Sequence, residues 1–209
     1  MFKSPFWSLP AAPQAGVART AAETTPSLFL RCLPYTLAQE CPHPNDWGSP
    51  ANFSNDPHDP GGATMCGITQ SEYDLYRRSL NEPTRSVQLL DRAEGDAIYH
   101  LNYWQPYSPK LQVGLDLSFF DAAVNMGVKE AIRILQVALG IGDDGIWGPQ
   151  TAAAVSGVGN VVDVIEAFTV RRQAVYEEFS TFAYFGADWT RRTTTIGDES
   201  VTMADAAVS

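Results

Sequence analysis

Basic residues are scarce in this chain: 14 Lys and Arg stand against 24 Asp and Glu, for a formal charge of −10. A nucleic-acid-binding protein needs a cationic face, so no nucleic-acid partner is expected. No stretch approaches eighteen consecutive apolar residues, which leaves no candidate for a membrane-spanning helix. No glycine pair is followed by the lysine that a phosphate loop requires. No Cys/His pair stands in a protease setting, and no serine sits in a nucleophile elbow. Cysteine is limited to Cys32, Cys41 and Cys66, an odd number that permits one intramolecular disulfide and leaves one thiol over. Three readings of these cysteines remain open. Cys41 and Cys66 can staple the loop between them. A zinc set of Cys41, His43, His58 and Cys66 is conceivable but lacks paired CxxC spacing. Buried thiols are the plainest alternative. No metal and no cofactor are expected.

What the chain does contain is enough apolar material for a core: 209 residues, 44% hydrophobic and 18% charged. The organisation expected is a Pro-, Ala- and Thr-rich extended arm over 1–34, a first lobe over 35–110, a helical lobe over 111–192 and a tail over 193–209. Lys3 and the apolar residues after it resemble the start of a signal peptide, but Pro5, Pro10 and Pro13 interrupt the run. An arm that docks on a partner fits better. A helix starting near Tyr35 ends where Pro42 and Pro44 stop it. Residues 41–69 read as a long loop, with a small hairpin near 55–69. Helical periodicity begins at about Ser71, where Val87, Leu90, Ala97, Leu101 and Trp104 mark one buried face. "LDLSFFDAAVNMG" (115–127) and "VKEAIRILQVALG" (128–140) read as helices stopped by glycine. "DDGIWGPQT" (143–151) reads as a turn, and Val161 to Phe182 as one long amphipathic helix. The fold class expected is mainly α.

The chemistry concentrates in "NDPHDPGGATMCGIT" (55–69). Pro57 and Pro60 push Asp56 and Asp59 into extended conformations. Gly61 and Gly62 permit a tight turn and a close approach. A carboxylate and a threonine hydroxyl on such a rigid loop form half of an acid-based hydrolytic site, able to hold a water. The other half is a carboxyl that stays neutral long enough to donate a proton. Glu40, at the end of the helix "YTLAQE", is the nearest upstream candidate, since a helix end beside packed aromatics is partly desolvated.

These residues carry a family resemblance. "DPHDPGGAT" and "GIT" resemble the loop of the glycoside hydrolase family 108 muramidases, found in phages and among bacterial secretion-associated lysozymes. The likeness continues in order through "YHLNYWQPY" (99–107), "SFFDAAVNMG" (118–127), "LQVALGIGDDGIWGPQT" (135–151) and "RRQAVY…DWTRR" (171–192). One departure falls at the acid. The family's Glu is followed by Gly-Gly, whereas Glu40 is followed by Cys41-Pro42. Glu40 precedes Asp59 by 19 residues, about ten more than the family spacing. Either Glu40 is the same acid with a longer loop behind it, or the acid has been lost and a binding remnant is left. The first is adopted, because the other residue types of the site are kept.

The resemblance implies a lysozyme-like α-helical fold with a small β-hairpin, a catalytic lobe over 35–110 and a peptidoglycan-binding-like lobe over 111–192. It implies cleavage of the β-1,4 bond between N-acetylmuramic acid and N-acetylglucosamine. Glu40 would be the acid and Asp59 the second carboxylate, with Asp56 as its runner-up and Thr64 assisting. Asn125, Tyr103, Trp104 and Trp147 are candidates for holding sugar. Asp121 and Asn125 project from the same helix face, although Asp121 also suits a structural hydrogen-bonding role, and Tyr103 or Trp104 also suits the core. Glu94 is a weaker catalytic candidate near a packed helix face.

Peptidoglycan is anionic, so a chain of charge −10 gains nothing from long-range steering. Delivery by attachment is expected: a virion or tail component that meets phage tail or baseplate proteins through its N-terminal arm. An endolysin released into the periplasm, a bacterial secretion lysozyme and a non-catalytic wall-binding scaffold are the alternatives.

Overall fold

The structure is a computed structural model that describes residues 27–55 and 62–208. It divides into two compact units, one ending at Pro106 and one running from Tyr107. The architecture is mainly helical, with a small antiparallel sheet in the first unit.

In the first unit, α1 (Leu28–Glu40) carries Phe29, Cys32, Leu33, Thr36, Leu37 and Glu40 on its buried side. That face recurs at helical spacing, and its burial outweighs the backbone bond lost at Pro34, which stands inside the helix. The helix therefore starts at Leu28 rather than near Tyr35, and residues 28–34 are not part of an extended arm; the rest of that expected arm, up to residue 26, lies outside the described residues. Three short strands follow: β1 (Phe53–Ser54), β2 (Thr64–Met65) and β3 (Ile68–Thr69). They pair antiparallel in the order β1-β2-β3, with Phe53 opposite Met65 and Met65 opposite Ile68. The expected hairpin is thus β2–β3, and β1 adds a third strand from the segment read as loop.

Helix α2 (Gln70–Ser79) begins at a capping box. The Glu72 amide donates to the Thr69 hydroxyl, while the Thr69 amide donates back to the Glu72 carboxylate. Helix α3 (Arg92–Tyr99) starts with a second box, Asp91 with Glu94. It runs on into a π-helical turn over His100–Trp104, where the Gln105 amide donates to the His100 carbonyl. Such wider turns recur at functional sites.

The second unit holds α4 (Leu115–Met126), α5 (Val128–Ala138), α6 (Pro149–Ser156), α7 (Val161–Glu177) and α8 (Phe182–Val208). Gly127 (φ 88°) stops α4 where expected. The run read as one long helix from Val161 to Phe182 is broken after Glu177, and Phe182 opens α8. Residue 209 of the expected tail lies outside the described residues, and residues 193–208 are instead the body of α8, with Thr193, Ile196, Ser200, Met203 and Ala204 buried. Its small residues are a packing device. The Ser118 hydroxyl of α4 donates to the Ser200 hydroxyl at 2.8 Å, and a Cβ on Gly197 would stand 2.8 Å from the Thr169 hydroxyl of α7. The helices cross where side chains are short.

At the centre of this unit, Asp121 is fully buried between Arg172 of α7 (2.7 Å) and Arg192 of α8, which meets it through two nitrogens at 2.9 and 2.8 Å. Burial alone would raise the Asp121 pKa, but the two guanidiniums pull it down to about 2.

Candidate functional site

The site grows from the C-terminal end of α1. Glu40 is the last helical residue and is only 5% exposed. The next residue, Cys41, leaves the helix in an extended conformation and is joined by a disulfide to Cys66. Cys66 and Gly67 form the two-residue loop between β2 and β3, with φ of 45° and 77°. Positive φ at both positions is the type I′ form that matches strand twist. Gly67 accepts it freely, whereas Cys66 adopts it against the preference of an L-residue.

Three contacts are made by Cys66 itself. The Cys66 amide donates to the Asn52 carbonyl at 3.0 Å, and the Tyr99 hydroxyl donates to the Cys66 carbonyl at 2.7 Å. The disulfide supplies the third. Gly67 then lies directly against the acid: a Cβ placed there would stand 2.9 Å from Glu40 Oε2 and 3.1 Å from the Tyr99 hydroxyl. The carboxyl, the loop backbone and a buried phenol thus crowd one point.

Behind them, Tyr103 donates to Glu72 Oε1 at 2.6 Å. Glu72 Oε2 also accepts from the Thr69 amide and hydroxyl at 2.8 and 2.7 Å. Burial, and then the negative Glu72, push the Tyr103 hydroxyl well above its ordinary pKa, so it stays a donor. The Tyr99 and Tyr103 rings lie 6.2 Å apart, both carried by the end of α3 and its π-turn.

The segment between Glu40 and the sheet is built into the unit. Asn52, 4% exposed, accepts from the His43 amide at 2.8 Å and donates to the carbonyls of His43 and Asp46 at 3.1 and 2.7 Å. Trp47, 7% exposed, packs against Gly95 of α3, where any Cβ would collide with its ring. Arg92 covers the same indole at 5.7 Å and donates to the Pro44 carbonyl.

The expected site residues divide as follows. Glu40, Cys41, Cys66 and Tyr103 come together in the first unit. Thr64, half-buried on β2, stands two residues before Cys66 on the same hairpin. Asp56 and Asp59 lie outside the described residues. Tyr103 and Trp104 do not offer their rings to a sugar. Both are core, 2% and 4% exposed, Tyr103 bound to Glu72 and Trp104 packed 5.7 Å from Phe29. Glu94 is engaged by Tyr73, Arg77 and Arg85 and caps α3. Burial works against its ionised form, but the Tyr73, Arg85 and Arg77 bonds prevail and its pKa is lowered, the opposite of what an acid needs.

In the second unit, Asn125 accepts from the Tyr176 hydroxyl, and Asp121 serves the buried ion cluster. Trp147 is half-buried against Phe119 and Tyr107, with the Lys110 ammonium 5.5 Å above its ring.

Gly67, Tyr99 and Glu72 were not anticipated as parts of the site. The capping-box spacing of Thr69 and Glu72 was visible in the sequence. The place of Gly67 depends on how α1 meets the hairpin, for which there is no local signal.

Residues 44–127 match the Glycosyl hydrolase 108 family model. The matched span is less than half of the chain; it includes the whole "DPHDPGGAT" loop and starts after Glu40. No curated protein matches the chain. Among solved structures, Brucella abortus SagA is similar, with 26% identity and a TM-score of 0.70, over 86% of this chain and 97% of that one. The helices and small sheet are consistent with a lysozyme-like fold.

Proposed function

We propose that this protein is a peptidoglycan hydrolase, an N-acetylmuramidase that cleaves the β-1,4 bond between N-acetylmuramic acid and N-acetylglucosamine. The observation that carries the reading is the placement of Glu40. Despite the longer segment behind it, its buried carboxyl is set against the Cys66–Gly67 loop, at the end of the hairpin that follows the Asp-Pro-Gly-Gly-Ala-Thr sequence. The family match over that loop supports the same chemistry.

Glu40 protonates the leaving glycosidic oxygen. A second carboxylate, Asp59 by preference and Asp56 as runner-up, stabilises the oxocarbenium-like transition state or orients the attacking water, with Thr64 assisting. The separation of the two carboxyls decides between retention, at about 5 Å, and inversion, at about 6.5–9.5 Å. Glu40→Gln removes the proton while keeping the shape. It should abolish digestion of purified peptidoglycan; digestion at the wild-type rate would sink the assignment.

The site acts on the cell wall from an attached position, as a phage tail component that opens peptidoglycan at entry. The charge of −10 supports this, because an anionic polymer does not draw in an anionic enzyme. The protein is then found in purified particles, and its presence only in lysate late in infection would favour a released endolysin instead. One observation favours a non-catalytic wall-binding protein: the family match begins after Glu40. A zymogram separates the two, since binding without clearing is the signature of the scaffold.

A further inference from the structure

We propose that Cys41 and Cys66 are a positioning pair for the Glu40 carboxyl, so that the reduced chain is folded but catalytically silent. The inference rests on the muramidase reading of Glu40.

Cys41 is the residue directly after Glu40, so the disulfide fixes the backbone at the acid's own position. Its other end, Cys66, is the first residue of the two-residue loop whose second residue, Gly67, lies against Glu40 Oε2. One covalent bond therefore holds both sides of a contact made of two elements distant in sequence, the cysteines standing 25 positions apart. Beside that bond stand the strand pairing of the hairpin and hydrogen bonds such as Tyr99 to the Cys66 carbonyl and the Cys66 amide to the Asn52 carbonyl, each weaker than a covalent bond. Cys66 also has positive φ, a conformation that an L-residue leaves readily when nothing holds it. The rest of the unit does not depend on the bond. Helix α2 has its own capping box, α3 has another, and the Trp47–Gly95 contact anchors the intervening segment independently.

Cys41 and Cys66 are 2% and 0% exposed, so opening the bond needs a dithiol reductant and a local opening of the hairpin loop that lets it reach a sulfur. One thiolate attacks a cysteine sulfur and forms a mixed disulfide, and the second displaces it. The S–S bond breaks, the reductant leaves as its own disulfide, and Cys41 and Cys66 each gain a proton. Cys32 is buried in α1 and stands outside the disulfide. Freed from the tether, the carboxyl loses its register with the loop, and displacements of about 1 Å at a reacting group cost on the order of 100-fold in rate. The chain becomes competent when it meets an oxidising compartment.

The test uses the full chain, oxidised, treated with dithiothreitol, and as the Cys41→Ser/Cys66→Ser variant. Peptidoglycan digestion, far-UV circular dichroism and amide hydrogen exchange are measured on each. The expected result is a fall in kcat of about 100-fold with KM within about threefold. The helical signal is kept, exchange is faster at residues 38–41 and 66–69 while α2 and α3 stay protected, and activity returns on reoxidation. Undiminished kcat in a chain whose S–S bond is open by thiol titration overturns the inference. Loss of activity in step with loss of the whole helical signal overturns it too, because the bond is then a general staple. If the variant fails to fold, the reduced wild type decides. If the oxidised wild type does not digest peptidoglycan, the muramidase reading fails, and unchanged exchange at 38–41 and 66–69 on reduction would then reject the positioning role separately.

Discussion

Glu40 and Gly67 share one volume: Oε2 of the acid lies 2.9 Å from the point where a Cβ on residue 67 would stand. Gly67 also has φ of 77°. Gly67→Ala therefore meets two obstacles, a left-handed backbone costing about 1–2 kcal/mol and a methyl group driven into the acid. Gly140→Ala is the matched control, since Gly140 has φ of 69° with nothing within 4 Å of its Cβ position. Gly140→Ala should lower stability in urea by about 1–2 kcal/mol, and Gly67→Ala by more, because its methyl also meets Glu40 and Tyr99. Only Gly67→Ala should also reduce peptidoglycan digestion, by about tenfold or more. Equal activity in the two variants would mean that the contact with Glu40 has no catalytic consequence.

Two buried or half-buried glutamates can be told apart by the same assay. Glu40→Gln should lose on the order of 100-fold or more in kcat, the usual scale for a general acid. Glu94→Gln should keep its rate within about threefold and melt a few degrees lower, because Glu94 binds Tyr73, Arg77 and Arg85 and caps α3. The reverse pattern would move the acid to Glu94.

The helices were legible where local signals agreed. Gly127 ended α4 as its sequence suggested, and apolar spacing marked α5. Reading failed where tertiary packing overruled composition. The Pro-, Ala- and Thr-rich composition of 1–34 read as an extended arm, yet the burial of Phe29, Leu33 and Leu37 sustains a helix from Leu28. Thr- and Ala-rich composition after residue 192 looked like a tail, yet short side chains are what let α8 lie close to α4 and α7. At the candidate site, Glu40 and Thr64 were singled out by residue type and motif. The part played by Gly67 and Tyr99 was not, since it arises only when Cys41 and Cys66 bring the end of α1 onto the hairpin. Tyr103 and Trp104, left open between sugar and core, are buried, and the sequence did not decide because an aromatic ring near a cleft motif reads alike whether it faces ligand or core.

The segment between Glu40 and β1 should behave as a structural part of the first unit. Trp47 is its anchor, covering Gly95 and lying under Arg92. Trp47→Ala removes a large buried ring and should cost about 3 kcal/mol or more. Limited proteolysis should then cut between residues 42 and 52 far faster than in the wild type. Gly95→Ala, which places a methyl group inside the indole's position, should produce the same cleavage pattern. Wild-type protease resistance in both variants would show that Trp47 is not the anchor and that other contacts, such as the Asn52 bonds to His43 and Asp46, hold the segment.

Asp121 sets the acid limit of the second unit. Its pKa is pulled from the ordinary 3.8 to about 2 by Arg192 and Arg172, against the opposing effect of its burial. A carboxylate depressed on folding contributes stability that is complete above its unfolded value and disappears as pH falls through its folded value. The window is therefore about pH 4 down to pH 2, and the contribution is on the order of 2 kcal/mol. Asp121→Asn keeps the shape but leaves two buried guanidiniums facing no charge, at a cost of about 3–5 kcal/mol near neutral pH. Urea unfolding followed from pH 6 to pH 2 should show the wild type losing stability across that window, and the variant starting lower and changing less. Parallel curves would place the acid sensitivity elsewhere, and an unchanged neutral stability would mean that the two arginines are not held by Asp121.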